Sequence, residues 1–306
     1  MLPSPVDIRE VGPRDGFQNE PETIATDDKV ALIDMLARTG VRRIEVTSFV
    51  RADVIPQLAD AREVLTAIDV PAGVARSVLV PNMRGLESAL ALRGRFEEVG
   101  VFLSASETHN RRNVNRTVDE SLAELAAVIR RARAEDLRVE AIISTSFGCP
   151  YEGRVARARV LEIARRLTDA GTSEIAFGDT TGMANPLQVR EHFAAASEAL
   201  GDAVQLTAHF HNTRGQGLAN VLAALEAGCR SYEASFGELG GCPVPAGATG
   251  NIATEDLVSM LHEMGIRTGI DLPALIDAAA AARAVLGRPL GSHTLVAGPI
   301  DWRRSS

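Results

Sequence analysis

Short runs of aliphatic and β-branched residues alternate with longer amphipathic stretches from one end of the chain to the other. Eight runs read as strands: 6–10, 43–49, 76–80, 98–104, 139–146, 174–178, 205–211 and 231–236. Between them the apolar spacing lengthens to that of helices. In 27–39, Val30, Ile33, Leu36 and Ala37 form one stripe, and Gly40 stops it. Further helical patterns cover 121–135, 156–170, 186–200 and 214–227, with Gly171, Gly201 and Gly228 closing three of them.

Strands that alternate with helices imply a parallel sheet joined by right-handed crossovers. Eight such units predict an α/β fold, a single (β/α)8 TIM barrel spanning residues 1–306. Residues 254–306 read as a C-terminal helical extension. An open doubly wound sheet is the alternative, but no glycine fingerprint for a dinucleotide follows the first strand. In a barrel, chemistry collects at the C-terminal ends of the strands. The uncommon polar residues should therefore gather there.

They do. The seventh strand ends in His209-Phe-His211. Residues two apart on a strand share a face, so Thr207, His209 and His211 point one way and Ala208 and Phe210 the other. Two converging imidazoles make half of a metal site, although a pair of unrelated histidines fits the same spacing. Asp15 follows the first strand, with Arg14 beside it and Gln18 in the same segment. Asp15 offers a hard donor or serves the turn at Gly16. Arg14 suits either an oxyanion or a surface ion pair. On the second strand Ile44 and Val46 should face the helices, which turns Glu45 and Thr47 inward. An inward carboxylate is either paired with an arginine or used. Asp179 ends the sixth strand, where it orients Arg14 or a metal-bound water, or caps the next turn. Beyond the eighth strand lies the glycine-rich stretch 237–251, carrying Cys242 and closed by Asn251. So many glycines suggest a flap or close approach to a ligand. Asp15, His209, His211 and Asn251 together describe a divalent cation site suited to Mg²⁺ or Mn²⁺, with Zn²⁺ or Co²⁺ as alternatives.

Charge narrows the ligand class. The net charge is -8, so a nucleic-acid partner is not expected. No apolar run reaches the roughly 20 residues of a membrane span. The first strand-like run starts almost at Met1, and the three cysteines are widely spaced, so the expectation is a soluble cytoplasmic protein without a leader or disulfide framework.

The stretches VGPRDGFQNEP (11–21), IEVTSFV (44–50), PQLAD (56–60), FGCPYEG (147–153), GDTTG (178–182), HFHNTRGQGLAN (209–220) and GELGGCPVPAGATGNIATEDLV (237–258) resemble the 3-hydroxy-3-methylglutaryl-CoA lyase family. They run in order over nearly the whole chain. The arginine–aspartate pair and the H-x-H belong to a wider group of metal-dependent barrels that includes isopropylmalate and homocitrate synthases, an aldolase and biotin carboxyltransferases. The GxxGCP loop and the CPYEG stretch are more specific to the lyases.

The resemblance implies Asp15, His209, His211 and Asn251 as metal ligands and Arg14 as the group facing an enolate. It implies catalytic roles for Glu45, Asp179, His209 and Cys242, and substrate contacts for Arg14 and Gln18. It also implies an acyl-CoA substrate, retro-Claisen cleavage to acetyl-CoA and acetoacetate, and a homodimer. Three departures bear on the substrate tail. Asn212 and Arg214 differ from the HCHDTYGQ of the animal type, Val244 and Pro245 differ from its CPYAQGASGN, and His109 and Arg111 stand in a region that usually differs. A lyase for another branched 3-hydroxyacyl-CoA is therefore the alternative. Arg51, Arg111 and Arg112 are candidates for CoA by position, and read equally as surface arginines. A condensing synthase of the same group is disfavoured by the flap cysteine and the absence of accessory domains. A silent scaffold barrel is disfavoured by four intact ligand positions.

Overall fold

The computed structural model describes residues 2–241 and 249–302. Eight parallel strands close into a barrel in chain order, with β8 paired back onto β1. They are β1 (Asp7–Glu10), β2 (Arg43–Ser48), β3 (Ala75–Leu79), β4 (Glu98–Ser104), β5 (Arg138–Ser144), β6 (Glu174–Asp179), β7 (Gln205–Phe210) and β8 (Ser231–Ala234). The (β/α)8 expectation holds, and each strand lies within two residues of its expected bounds. Apart from one step in β2, each also alternates. Ile44, Val99, Val101, Ile143, Ile175, Ala208 and Tyr232 belong to the large core between sheet and helices. Outward apolar side chains bury most of their surface there, which is the main drive for the ring.

The helices between strands are α1 (Thr26–Ala37), α2 (Ala61–Ala67), α3 (Met83–Leu90), α4 (Glu107–Val114), α5 (Val118–Arg133), α6 (Arg157–Asp169), α7 (Pro186–Leu200) and α8 (Gly217–Glu226). Thr117 and Glu120 form a reciprocal capping box at the start of α5. Asn185 caps α7, whose first residue is Pro186. Helices α9 (Thr254–Glu263), α10 (Leu272–Leu286) and α11 (His293–Ala297) follow β8, and α10 packs against α1 to complete the ring. No helix among the described residues is long and apolar enough to cross a membrane.

The inner face departs from the usual barrel packed with branched apolar side chains. Leu79, Phe102, Ile142 and Ala176 form a small apolar patch separate from the main core. The rest is charged. Arg9 contacts Glu98 at 3.1 Å, Glu174 at 3.4 Å and Glu233 at 3.0 Å, and also pairs with Glu140. Arg43 pairs with Glu98 at 2.9 Å and Glu174 at 2.5 Å. All these groups are buried. Buried charges persist only when paired and hydrogen-bonded, and here each carboxylate has a guanidinium partner.

Alternation fails at one place. The β2–β3 register slips between Glu45 and Thr47. Glu45 lies opposite Ser77, but Thr47 lies opposite Val78, a residue of the outer core. A one-residue bulge changes the parity of the strand. The expectation that Glu45 and Thr47 share an inward face therefore does not survive for Thr47.

Candidate active site

A cavity of about 460 Å³ opens at the C-terminal ends of the strands and is lined by Arg14, Asp15, Gln18, His209 and His211. A larger one, about 1220 Å³, opens at the opposite end among Arg42, Arg138, Arg230 and Arg267. It holds none of the candidate ligands. The chemistry sits at the mouth.

Asp15 and Arg14 lie in a tight π-helical turn, Gly12–Gly16, that follows β1. Gly12 and Gly16 permit it, since a Cβ at residue 12 would stand 2.4 Å from the Phe236 ring and one at residue 16 would stand 2.8 Å from Leu239. Arg14 Nε donates to Glu45 Oε2 at 2.6 Å and Nη1 to Asp15 Oδ1 at 2.6 Å. Gln18 Nε2 donates to the same Asp15 oxygen at 2.9 Å, and Asn251 Nδ2 to Asp15 Oδ2 at 2.7 Å. Burial works to raise the Asp15 carboxyl, but the positive charge of Arg14 and the neighbouring imidazoles outweigh it and hold the group below its ordinary value. Asp15 is thus an anion at neutral pH.

His209 and His211 do share the inner face. Their Nε2 atoms stand 3.2 Å apart. Donors on adjacent corners of an octahedron about 2.1 Å from one ion stand about 3 Å apart. Asp15, His209 and His211 each offer a donor atom, and all lie within 4.8 Å of one another. Asn251 Oδ1 is fully buried and has no hydrogen-bond partner among the described residues, while its Nδ2 is committed to Asp15 and to the Leu239 carbonyl. An orphaned buried oxygen beside three such donors is what a cation would satisfy. The four residues fit a divalent ion.

Glu45 is buried beside Arg14. Desolvation pushes its carboxyl up to about 7, against the pull of the guanidinium. Asp179 behaves differently from a residue that orients Arg14. Its Oδ1 accepts from the amides of Met183 at 2.7 Å and Ala184 at 3.0 Å, which caps the turn after β6. Its Oδ2 is buried without a partner among the described residues, and burial raises the carboxyl to about 7. Of the three arginines considered for CoA, Arg112 lines the mouth and stacks over the Tyr151 ring at 4.2 Å. Arg51 and Arg111 pair with Asp53 and Glu107 at the surface. Cys242 lies outside the described residues.

The family profile described as HMGL-like matches residues 5–281. The chain belongs to the HMGL-like family. Among its relatives, hydroxymethylglutaryl-CoA lyase of Bacillus subtilis is 48% identical over 96% of this chain and 97% of its own length. The mitochondrial enzyme of that name from Gallus gallus is 43% identical over 90% of this chain and 92% of its own. A solved HMG-CoA lyase from Acinetobacter baumannii, in complex with coenzyme A and 3-methylmalate, superposes with a TM-score of 0.92 at 41% identity. It covers 96% of this chain and 95% of that one. This HMGL-like barrel is therefore a carbon–carbon lyase.

One residue at the site escapes a sequence reading. Glu233 Oε2 stands 2.9 Å from His209 Nδ1. The alternation of β8 places Ser231 and Glu233 on the inner face, which is the signal available. Their partners become visible only once β8 is set beside β7.

Proposed function

We propose that the chain cleaves 3-hydroxy-3-methylglutaryl-CoA to acetyl-CoA and acetoacetate. The observation that carries the reading is Arg14 held between two carboxylates at the edge of a four-residue cation site, in a barrel of this family. A divalent cation, Mg²⁺ or Mn²⁺, held by Asp15, His209, His211 and Asn251 would supply Lewis-acid polarisation of substrate oxygens. The 3-hydroxyl loses its proton to a base at the mouth, with Glu45 and Asp179 as the candidates, since His209 has Nδ1 turned to Glu233 and Nε2 to the cation site. The bond between C3 and the carbon beside the thioester then breaks. C3 becomes the ketone of acetoacetate, and the electron pair moves to the thioester oxygen as an enolate. Arg14 has Nε and Nη1 committed to Glu45 and Asp15, which leaves Nη2 for that oxygen. Cys242 returns a proton to the enolate carbon. Gln18 braces Asp15 and faces the same cavity.

A second reading has a feature of its own in its favour. Leu79, Phe102 and Ile142 line the mouth as an apolar wall, which suits a branched or longer acyl substituent. Arg112 over Tyr151 offers a cation and a ring face to the CoA end. A homodimer and a cytosolic setting complete the reading, the latter consistent with the free, buried thiols of Cys149 and Cys229.

The test is release of acetyl-CoA from 3-hydroxy-3-methylglutaryl-CoA with Mg²⁺ or Mn²⁺, with Cys242→Ala in parallel. Metal-dependent release that collapses in the variant supports the reading. A metal-loaded wild type that leaves this substrate intact removes it in favour of longer 3-hydroxyacyl-CoA compounds.

A further inference from the structure

Three inner-face residues of adjacent strands stand level with one another. In the register, His209 of β7 faces Glu233 of β8, and Glu233 faces Arg9 of β1. On its other side His209 faces Gly178, which has no side chain to offer. Among the described residues, the lateral support for the imidazole comes from β8.

Glu233 divides its two oxygens. Oε2 meets His209 Nδ1 at 2.9 Å, and Oε1 accepts from Arg9 Nη1 at 3.0 Å. An ionised carboxylate only accepts, so the contact puts the proton on Nδ1. The lone pair of Nε2 is then free on the side where His211 Nε2 lies 3.2 Å away. Arg9 is itself immobilised by Glu98, Glu140 and Glu174 from β4, β5 and β6. The interior network holds six buried carboxylates (Asp15, Glu45, Glu98, Glu140, Glu174 and Glu233) and three buried guanidinia (Arg9, Arg14 and Arg43). Arg138 adds one more guanidinium, at Glu98, and carboxylates still outnumber guanidinia, which favours a cation at the mouth.

We infer that Arg9 and Glu233 are positioning residues for the metal site, forming a buried line from the barrel floor that fixes the tautomer and orientation of His209. This rests on the reading of His209 as a ligand. Glutamate is required at 233 because two donors must be served at once. A glutamine there has one acceptor oxygen, so either Arg9 or His209 loses its partner.

The experiment is a Mn²⁺ titration of the substrate-free protein by calorimetry, with folding checked by circular dichroism. Glu233→Gln should bind Mn²⁺ about 10–100-fold more weakly than wild type, the range typical of lost outer contacts to a metal-bound histidine. Arg9→Lys replaces a planar fork with a single ammonium and should weaken binding in the same direction by a smaller factor. Should Arg9→Lys fail to fold, the nearly isosteric Glu233→Gln still carries the test. A folded Glu233→Gln with wild-type affinity overturns the inference and leaves the ligand set intact. A wild type that takes up no divalent ion overturns the ligand set and the inference with it.

Discussion

Asn251 donates its side-chain amide to Asp15 Oδ2 over 2.7 Å, joining residues 236 positions apart in the chain. The contact ties the closing end of the 237–251 loop to the turn after β1. It also orients Asn251 Oδ1, which is buried and unpartnered among the described residues. Asn251→Ala removes a ligand candidate and leaves Asp15 short of a donor. Mn²⁺ affinity should fall by more than the about 10–100-fold typical of losing an outer contact alone. Stability without metal should fall by about 1–3 kcal/mol, the cost of a broken buried hydrogen bond. Calorimetric titration and thermal melting read the two separately. An unchanged affinity would remove Asn251 from the ligand set.

Glu10 gives a pH-dependent stability. Its carboxylate is buried at the end of β1 and accepts from the amides of Gly12 at 2.8 Å and Phe236 at 3.0 Å, and from Thr254 Oγ1 at 2.7 Å. Burial outweighs these bonds and pushes the carboxyl up to about 7. The folded value lies above the unfolded one, so the folded state holds the proton more tightly. The contribution is complete below the unfolded value near 4.5 and is lost as pH rises through 7. Above that range the ionised group costs on the order of 3 kcal/mol. Glu10→Gln keeps all three contacts, two through its oxygen and one by donation to Thr254. Its melting temperature should fall less than that of wild type between pH 5 and pH 8. Parallel curves for the two proteins would refute the raised value.

Gly250 tests how tightly the loop end is packed. A Cβ there would stand 1.8 Å from the Glu238 carbonyl oxygen and 2.7 Å from that of Leu239. Both obstacles are backbone and cannot swing aside. The Leu239 carbonyl also receives the Asn251 amide at 3.1 Å, and that of Gly250 receives the Asn212 amide at 3.0 Å. Gly250→Ala must therefore push Asn251 away from Asp15. The expected result is a folded protein destabilised by about 1–3 kcal/mol that binds Mn²⁺ poorly. Full affinity in that variant would show that the loop tolerates the displacement.

The barrel itself is legible in the sequence because outward positions such as Ile44, Val101 and Ile175 are apolar at strand spacing, and glycines end the helices. The mouth is legible because Asp15, His209 and His211 follow strand ends, where a barrel places chemistry. The interior charge network is not. Glu98 and Glu174 begin strands and look like surface residues. Their partner Arg9 is 89 and 165 positions away, and nothing local announces the pairing. The bulge in β2 is hidden for the same reason, since a change of register is a property of two strands. Asp179 is ambiguous by nature, because a carboxylate at a strand end serves a turn as readily as a substrate. In the fold it caps the turn with one oxygen and leaves the other without a partner among the described residues.

Arg14 provides the sharpest test of charge placement. Its planar guanidinium reaches Glu45 through Nε and Asp15 through Nη1, both at 2.6 Å, with all three side chains buried. Lysine keeps the positive charge but concentrates it on one nitrogen, which cannot hold both carboxylates and still face a substrate oxygen. Asp15 retains Asn251 and Gln18 as donors, so the cation site should survive the change. The predicted outcome for Arg14→Lys is a kcat lowered about 100–1000-fold, the usual cost of losing a preorganised oxyanion donor. KM and Mn²⁺ affinity should move far less. Steady-state cleavage kinetics beside a Mn²⁺ titration separate these effects. A large loss of metal affinity with kcat preserved at saturating Mn²⁺ would instead assign Arg14 to the support of Asp15, with no part in facing the enolate.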